Sequence, residues 1–166
     1  NNSLLAEMKG WIKDTLKNGG WKLVDENRFN MTVKRLEDVY DKLNVQLIHR
    51  DVHFGNFLFS EGKFSGYIDF DLSQKNIRIF DLCYFLTGLL SEEEWFKMLT
   101  DVFKGYESII KLTKEEKAAA PYVMKSIELL FAAWFINQED MACAQNAVKI
   151  FEFVDSNNDR IYNCLG

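Results

Sequence analysis

Apolar residues recur at helical spacing in the N-terminal part of the chain. Ser3 can cap a helix whose apolar residues lie three or four positions apart, and Gly19 and Gly20 can end it. A second amphipathic helix is expected after Asn30, with one apolar face and a solvent-facing side rich in Lys, Glu and Asp. The chain therefore begins with two helices that lead into a segment of different character.

Short apolar runs replace the helical spacing in the next segment. The predicted strands cover residues 45–48, 57–59 and 64–70. Glu61 and Gly62 provide a turn between the last two of them. Runs of this length separated by turn residues are typical of short β-strands, and helical spacing returns only beyond Asp71.

The C-terminal half of the chain is predicted to be helical. The expected elements are, in order, an apolar helix at 80–90, capping boxes at Ser91 and Thr113, and long helices at about 122–138 and 141–154 before a polar turn at 156–158. The whole pattern predicts one predominantly helical α+β domain over residues 1–166, with a few short strands at one edge.

Composition supports a folded domain and excludes some partners. The chain has 166 residues, of which 48% are hydrophobic and 14% aromatic, with one Pro, as expected for a single core. Its net charge of -5 argues against a nucleic-acid partner, which requires a basic surface. The apolar stretch at 118–136 is interrupted by Pro121, Lys125 and Glu128, so we expect a buried helix and no membrane span.

The cysteines indicate a reducing compartment. Cys83, Cys143 and Cys164 are odd in number, far apart and not arranged as CxxC pairs. We therefore expect free thiols in a cytoplasmic protein, and no signal-peptide pattern is present. The start at Asn1, without Met, is expected to mark a domain boundary.

Residues suited to phosphoryl transfer follow the predicted strands. The chain reads HRDVHFGN at 49–56 and YIDFD at 67–71. Phosphoryl transfer requires a carboxylate near the attacking hydroxyl and oxygen ligands that hold magnesium against the nucleotide phosphates. Asp51, Asn56 and Asp69 supply these groups, with Asn five positions after the first Asp and the second Asp thirteen positions after Asn.

The fuller string HRDVHFGNFLF…GYIDFDLSQKNIRIFDLCYFL resembles the aminoglycoside phosphotransferase, choline kinase and homoserine kinase group of the protein-kinase-like superfamily. His53 and Gly55 precede Asn56, Phe70-Asp71 follows Asp69 in place of Phe-Gly, and no Ala-Pro-Glu segment follows. The resemblance implies the C-terminal lobe of a kinase-like fold. It also implies transfer of the γ-phosphoryl group of ATP, with Mg²⁺, to a hydroxyl of a small acceptor: an aminoglycoside, choline, homoserine or a sugar-like molecule.

The resemblance also implies residue roles. Asp51 resembles the residue that orients the acceptor hydroxyl and can take its proton, while Asn56 and Asp69 resemble magnesium ligands. The commoner family sequence at this loop is His-Gly-Asp, and this chain has Arg50 in place of the glycine. The resemblance therefore does not determine the backbone conformation of the loop.

Four further residues are candidates by position. His49 resembles the histidine that braces the loop, and Asp81 resembles the aspartate that braces it through backbone hydrogen bonds. Asp71 matches a second acidic position, with capping of the next helix as the alternative. His53 is a candidate for the acceptor side.

A working enzyme of this group also requires a smaller N-terminal lobe, and residues before Asn30 lack its strand-rich pattern. We therefore expect this chain to be one lobe of a longer protein and to show little or no catalysis alone. The edge that would face the other lobe should be an exposed apolar surface, available for homodimerisation in its absence.

Two alternatives remain. One is a non-catalytic kinase-like domain that binds a ligand or partner, which would not need Asp51, Asn56 and Asp69 together. The other is a metal-dependent hydrolase built on His49, Asp51 and His53, although the chain contains no third histidine.

Overall fold

In a computed structural model of the protein, which describes residues 3–90 and 93–165, helices interrupted by short strands make up most of the chain. The α-helices are α1 (Leu4–Glu7), α2 (Lys13–Lys17), α3 (Glu26–Tyr40), α4 (Phe80–Thr87), α5 (Trp95–Glu107), α6 (Lys114–Asn137), α7 (Met141–Ser156) and α8 (Asn158–Leu165). The strands are β1 (Val45–Ile48), β2 (Phe57–Ser60), β3 (Lys63–Tyr67) and β4 (Gln74–Ile77). The architecture confirms the predicted, mainly helical α+β fold.

The N-terminal helical segment forms as predicted. The Ser3 hydroxyl accepts a hydrogen bond from the Ala6 N–H at 3.2 Å, and a π-helical turn, Met8–Ile12, joins α1 to α2. Gly19 ends the segment with φ 135°, a conformation that glycine adopts at little cost. Every fourth residue of this segment is fully buried: Leu4, Met8, Ile12 and Leu16.

Helix α3 begins earlier than predicted. It starts at Glu26 and not after Asn30, because the Asp25 carboxylate accepts a hydrogen bond from the Arg28 N–H at 2.8 Å and caps the helix there. The pattern of buried residues in α3 then follows helical spacing, with Phe29 and Leu36 facing the core.

Two antiparallel strand pairs surround the motif segment. β2 and β3 form the predicted hairpin, with Phe57 opposite Tyr67, although β3 ends at Tyr67 and not at residue 70. β1 pairs with β4, with Val45 opposite Ile77 and Ile48 opposite Gln74. β4 was not predicted because three of its four residues are polar. This pairing brings together the two ends of the segment that contains the motifs.

Helix α6 runs unbroken from Lys114 through Pro121 and not from about residue 122 as predicted. The capping box predicted at Thr113 is present, since Thr113 and Glu116 exchange side-chain to backbone hydrogen bonds. The capping box predicted at Ser91 lies outside the described residues. α8 was not predicted, and it buries Ile161 and Leu165 where a terminal turn was expected.

Helix α6 is the centre of the core. Among the described residues, α6 alone is long and apolar enough to cross a membrane, but 67% of its most apolar window is buried inside the protein. It packs against α3, α4 and α7, which agrees with the predicted core helix. Trp95 and Phe103 on α5 are buried, whereas Trp134 on α6 is half exposed and lines a cavity. All three cysteines are free.

The strand-rich segment leaves many apolar side chains exposed. We call this surface the exposed apolar edge, and its members are Val45, Leu47, Phe54, Leu58, Phe59, Phe64, Tyr67, Ile68, Phe70 and Leu72. Such an edge was predicted for the lobe boundary. Exposed apolar surface of this kind is common at sites of interaction.

Candidate functional site

The loop after β1 is held by the first turn of α4. The Asp81 carboxylate accepts hydrogen bonds from the backbone N–H groups of His49, at 2.8 Å, and Arg50, at 2.9 Å. Burial raises the pKa of Asp81, and the two N–H donors oppose that shift. One carboxylate therefore fixes two consecutive peptide groups at the start of the loop.

Both ring nitrogens of His49 are hydrogen-bonded to backbone groups. Its Nε2 lies 2.8 Å from the Ile68 carbonyl oxygen, and its Nδ1 accepts from the Asp51 N–H at 3.3 Å. These contacts leave neither nitrogen of this buried ring for a metal. The described residues also contain no group of three or more His, Cys, Asp and Glu side chains that could hold a metal. The structure therefore does not form the hydrolase site considered for His49, Asp51 and His53.

Three side chains surround the Asp51 carboxylate. Its Oδ1 accepts a hydrogen bond from the Tyr84 hydroxyl at 2.6 Å, and its Oδ2 accepts from the Asn56 amide at 3.0 Å. His53 Nε2 lies 3.5 Å from the same Oδ2. Burial and the bond to Asp51 raise the pKa of Tyr84, so its hydroxyl remains a donor. The orientation of the carboxylate is thus fixed by neighbours from α4 and from its own loop.

Asn56 and Asp69 lie side by side on the backbone. The Ile68 N–H donates a hydrogen bond to the Asn56 carbonyl oxygen at 3.0 Å, which extends the β2–β3 pairing of Phe57 with Tyr67 by one residue. Asp69 is the next residue after Ile68, so its backbone lies close to that of Asn56. The Asn56 amide nitrogen also donates to the Asp51 carbonyl at 2.9 Å. Because that nitrogen is used, the amide oxygen is the group of Asn56 left for a cation.

Asp69 and Asp71 are exposed. Asp69 has φ 63°, a left-handed conformation that is uncommon outside glycine. Within the part of the chain that the structure describes, neither carboxylate forms a hydrogen bond or ion pair. Asp51 and Asn56 are therefore hydrogen-bonded to each other, Asp69 follows the residue whose backbone pairs with Asn56, and Asp71 forms no hydrogen bond with them among the described residues.

Arg50, the departure from the commoner loop sequence, forms a long-range ion pair. Its guanidinium lies 2.6 and 2.7 Å from the two carboxylate oxygens of Glu7 in α1, and both side chains are mostly buried. Arg50 has φ 72°, which costs a non-glycine residue about 1–2 kcal/mol. The pair with Glu7 links the loop to the N-terminal helices.

Two cavities flank Tyr84. One, of about 460 Å³, is lined by Asp51, Trp11 and Trp134 among others. The other, of about 290 Å³, is lined by His53 and Glu128 among others.

Two partners of this site could not be found from the sequence: Glu7 and Tyr84. Glu7 is 43 residues from Arg50 and Tyr84 is 33 residues from Asp51, and no local spacing relates such pairs. Arg50, which stands where the commoner family sequence has glycine, was the one visible departure at this loop.

Solved structures of kinases share the fold. A choline/ethanolamine kinase family protein from Mesorhizobium loti superposes with a TM-score of 0.68 at 16% identity, over 96% of this chain and 57% of that one. An amicoumacin kinase, hAmiN, in complex with AMP-PNP, Ca²⁺ and Ami, superposes with a TM-score of 0.58 at 18% identity, over 87% of this chain and 48% of that one. The chain thus spans about half the length of these kinases.

Sequence comparisons agree with the fold. Homoserine kinase of Phenylobacterium zucineum (strain HLK1) is 32% identical over 88 residues, which are 51% of this chain and 27% of that protein. A family model described as "Phosphotransferase enzyme family" matches residues 10–122, more than half of the chain. The chain therefore belongs to the phosphotransferase enzyme family.

Proposed function

We propose that the protein containing this chain transfers the γ-phosphoryl group of ATP to a hydroxyl of a small molecule. The observation that carries the proposal is the Asp51 carboxylate, held by Tyr84 and Asn56 on a loop that ends beside Asp69. Catalysis of phosphoryl transfer depends mainly on positioning and on stabilisation of charge. A carboxylate fixed at both oxygens, next to candidate cation ligands, suits both needs.

Asp51 is the proposed catalytic residue. It accepts a hydrogen bond from the acceptor hydroxyl and takes its proton as the acceptor oxygen bonds to the γ-phosphorus. The bond between the γ-phosphorus and the bridging oxygen breaks, and ADP leaves. Asp81 and His49 act as positioning residues because they hold the backbone of the loop. Tyr84 keeps the carboxylate aimed.

The proposed metal ligands are Asn56 and Asp69, with Asp71 as a further candidate. Their amide and carboxylate oxygens are the ligand types that Mg²⁺ prefers, and Mg²⁺ usually takes few protein ligands together with water and phosphate oxygens. When bound, Mg²⁺ neutralises charge on the transferring phosphate. The fold is shared with a kinase solved with AMP-PNP and Ca²⁺, which supports a nucleotide and a divalent cation for this site.

We also propose that residues 1–166 form one lobe and that a separate N-terminal lobe completes the enzyme. The exposed apolar edge and the coverage of about half of each solved kinase support this division. The isolated chain is then catalytically inactive and self-associates through the edge. No nucleic-acid or membrane partner is part of the proposal, and the reaction is placed in the cytoplasm, where ATP is abundant.

The test is ATP consumption by the full-length protein with aminoglycosides, choline, homoserine and sugars as acceptors. We expect acceptor-dependent turnover that Asp51→Asn lowers by about 10²- to 10⁴-fold. Asp101→Asn, an exposed carboxylate on α5, is the matched control and should not change the rate. No turnover with any acceptor, together with no binding of magnesium and nucleotide, would favour the non-catalytic alternative.

A further inference from the structure

A further cavity, of about 240 Å³, lies between the helices on the side of α6 that packs against α3. Its walls include Arg28 and Arg35 from α3, Lys125 from α6 and Asp155 from α7. None of the residues that line it also lines either of the two cavities beside Tyr84. This cavity is therefore separate from the candidate catalytic site.

Cationic side chains outnumber carboxylates in this cavity. Arg28, Arg35 and Lys125 line it, and Asp155 is the single carboxylate among the described residues that do so. Glu152 lies 3.6 Å from Arg28 Nη1, but it is half exposed and is not part of the wall. The whole chain has 25 Asp and Glu against 20 Lys and Arg, so the local excess of positive charge is opposite in sign to the net charge. A concave site lined by cations concentrates anions.

The one carboxylate is shared by two of the three cations. Asp155 Oδ2 accepts hydrogen bonds from Arg28 Nε at 2.8 Å and Nη2 at 2.6 Å, and its Oδ1 accepts from Lys125 Nζ at 2.9 Å. Arg35 is exposed and forms no hydrogen bond or ion pair within the part of the chain that the structure describes. An ion-pair network that only joins the helices would account for Arg28 and Lys125 but not for Arg35.

Lys125 is a buried cation with hydrogen-bonding capacity left. Its side chain is 5% exposed, and Asp155 accepts one of the three hydrogen bonds that its ammonium group can donate. Burial lowers the pKa of Lys125, and Asp155 opposes that shift. The charges of Arg28 and Arg35 lower the pKa further, because like charges repel. An anion bound between these cations would relieve the repulsion.

Asn158 adds a polar atom that lacks a partner. It lines the same cavity, and its Oδ1 is buried without a hydrogen-bond partner among the described residues. Such atoms are uncommon in folded proteins, and each one calls for an explanation. A ligand that carries a hydroxyl group would donate the missing hydrogen bond.

We propose that this cavity binds a phosphate group, either free or as a small phosphate monoester, at a site separate from the catalytic loop. The three cations exceed the one carboxylate by two charges, and a phosphate monoester carries about −1.5 to −2 at pH 7. Guanidinium groups match the oxygens of phosphate in geometry, and the ammonium group of Lys125 supplies a point charge. The inference does not depend on the proposed function, because Asp51, Asn56 and Asp69 do not line this cavity.

The experiment is calorimetric titration of the full-length protein, without magnesium or nucleotide and at constant ionic strength. The ligands are inorganic phosphate and glycerol 3-phosphate, with glycerol and the dicarboxylate malate as matched compounds that lack phosphorus. We expect saturable binding of the phosphate compounds, and the ratio of their Kd values distinguishes free phosphate from an ester. Arg35→Gln should raise the Kd about 10-fold by removing a charge-assisted hydrogen bond, and Arg35→Lys should recover part of the affinity.

The control is Lys34→Gln, which removes an exposed cation of the same helix outside the cavity and should leave the Kd unchanged. Because Arg35 is exposed, its replacement should preserve the fold, and thermal unfolding checks this. Phosphate should raise the Tm of the wild type more than that of Arg35→Gln. No phosphate binding, equal affinity of wild type and Arg35→Gln, or equally tight binding of malate would each overturn the inference.

Discussion

The exposed apolar edge and the helical layer around α6 differ in how completely they bury their apolar side chains. In the helical layer, large apolar side chains such as Leu99 and Leu129 are fully buried. On the edge, Leu47 is 71% exposed and Phe59 is 58% exposed, although both lie in strands. The helical layer completes its own core, whereas the edge carries the candidate chemistry and is left open.

The two regions also differ in whether their charged side chains form ion pairs. In the helical layer, Arg78 is paired with Glu116 and Lys125 with Asp155. At the edge, Asp69 and Asp71 are exposed, and neither forms an ion pair among the described residues. Buried charges are tolerated when they are paired, whereas the exposed carboxylates at the edge are accessible to ligands. Glu128 is an exception, since it is buried in the helical layer and forms no ion pair among the described residues.

Glu116→Ala should cause the largest loss of stability. The substitution leaves Arg78 buried without a counter-charge and removes the capping box of α6, so we expect a decrease of about 3–5 kcal/mol in the free energy of unfolding. Urea denaturation of the isolated chain measures it. The control is Glu94→Ala, which removes an exposed pair with Lys97 and should cost less than about 1 kcal/mol. Equal losses would contradict the contrast between buried and exposed charges.

Glu128→Gln should stabilise the chain, and only at higher pH. The pKa of the Glu128 carboxyl group rises from 4.5 in the unfolded chain to about 7 in the folded one, so the fold favours its protonated form. The stability that this preference contributes is fully present below pH 4.5 and is lost as the pH rises through 7. At pH 8 the variant should therefore be more stable than the wild type by up to about 3 kcal/mol, and by little at pH 4.5. Urea denaturation at both pH values tests this. A difference that does not depend on pH would show that Glu128 is not held in the unfavourable environment described here.

Phe59→Thr should have the smallest effect on the isolated chain. Because Phe59 is mostly exposed, its replacement should change the free energy of unfolding by about 0.5 kcal/mol or less. It should reduce self-association in sedimentation experiments and destabilise the full-length protein, in which the other lobe would cover the edge. Leu99→Ala, in the buried layer, is the contrast and should cost about 2–5 kcal/mol. A large loss from Phe59→Thr in the isolated chain would mean that the edge is part of its own core.

Local patterns explain what the sequence could predict. β1, the β2–β3 hairpin and the capping box at Thr113 depend on residues close in sequence, and the structure contains all of them. β4 lacks an apolar pattern, and Pro121 is tolerated inside α6 because the tertiary packing of that helix outweighs the local preference.

In the candidate site, too, only features set by local sequence could be predicted. The spacing of Asp51, Asn56 and Asp69 is visible in the sequence, and the fold places them near one another. The contacts of Tyr84 with Asp51 and of Glu7 with Arg50 join distant parts of the chain. Only the packing of α1 and α4 against the loop creates these pairs, so no local motif could indicate them.

The most direct test of the central claim separates the proposed roles of Asp51 and Asp69 in the full-length protein. Calorimetric titration with magnesium and AMP-PNP measures nucleotide binding, and phosphoryl transfer to the acceptor is measured alongside. We predict that Asp51→Asn binds the nucleotide like the wild type but loses transfer, whereas Asp69→Asn loses both. Wild-type transfer by Asp51→Asn, or wild-type nucleotide binding and transfer by Asp69→Asn, would contradict the proposed site.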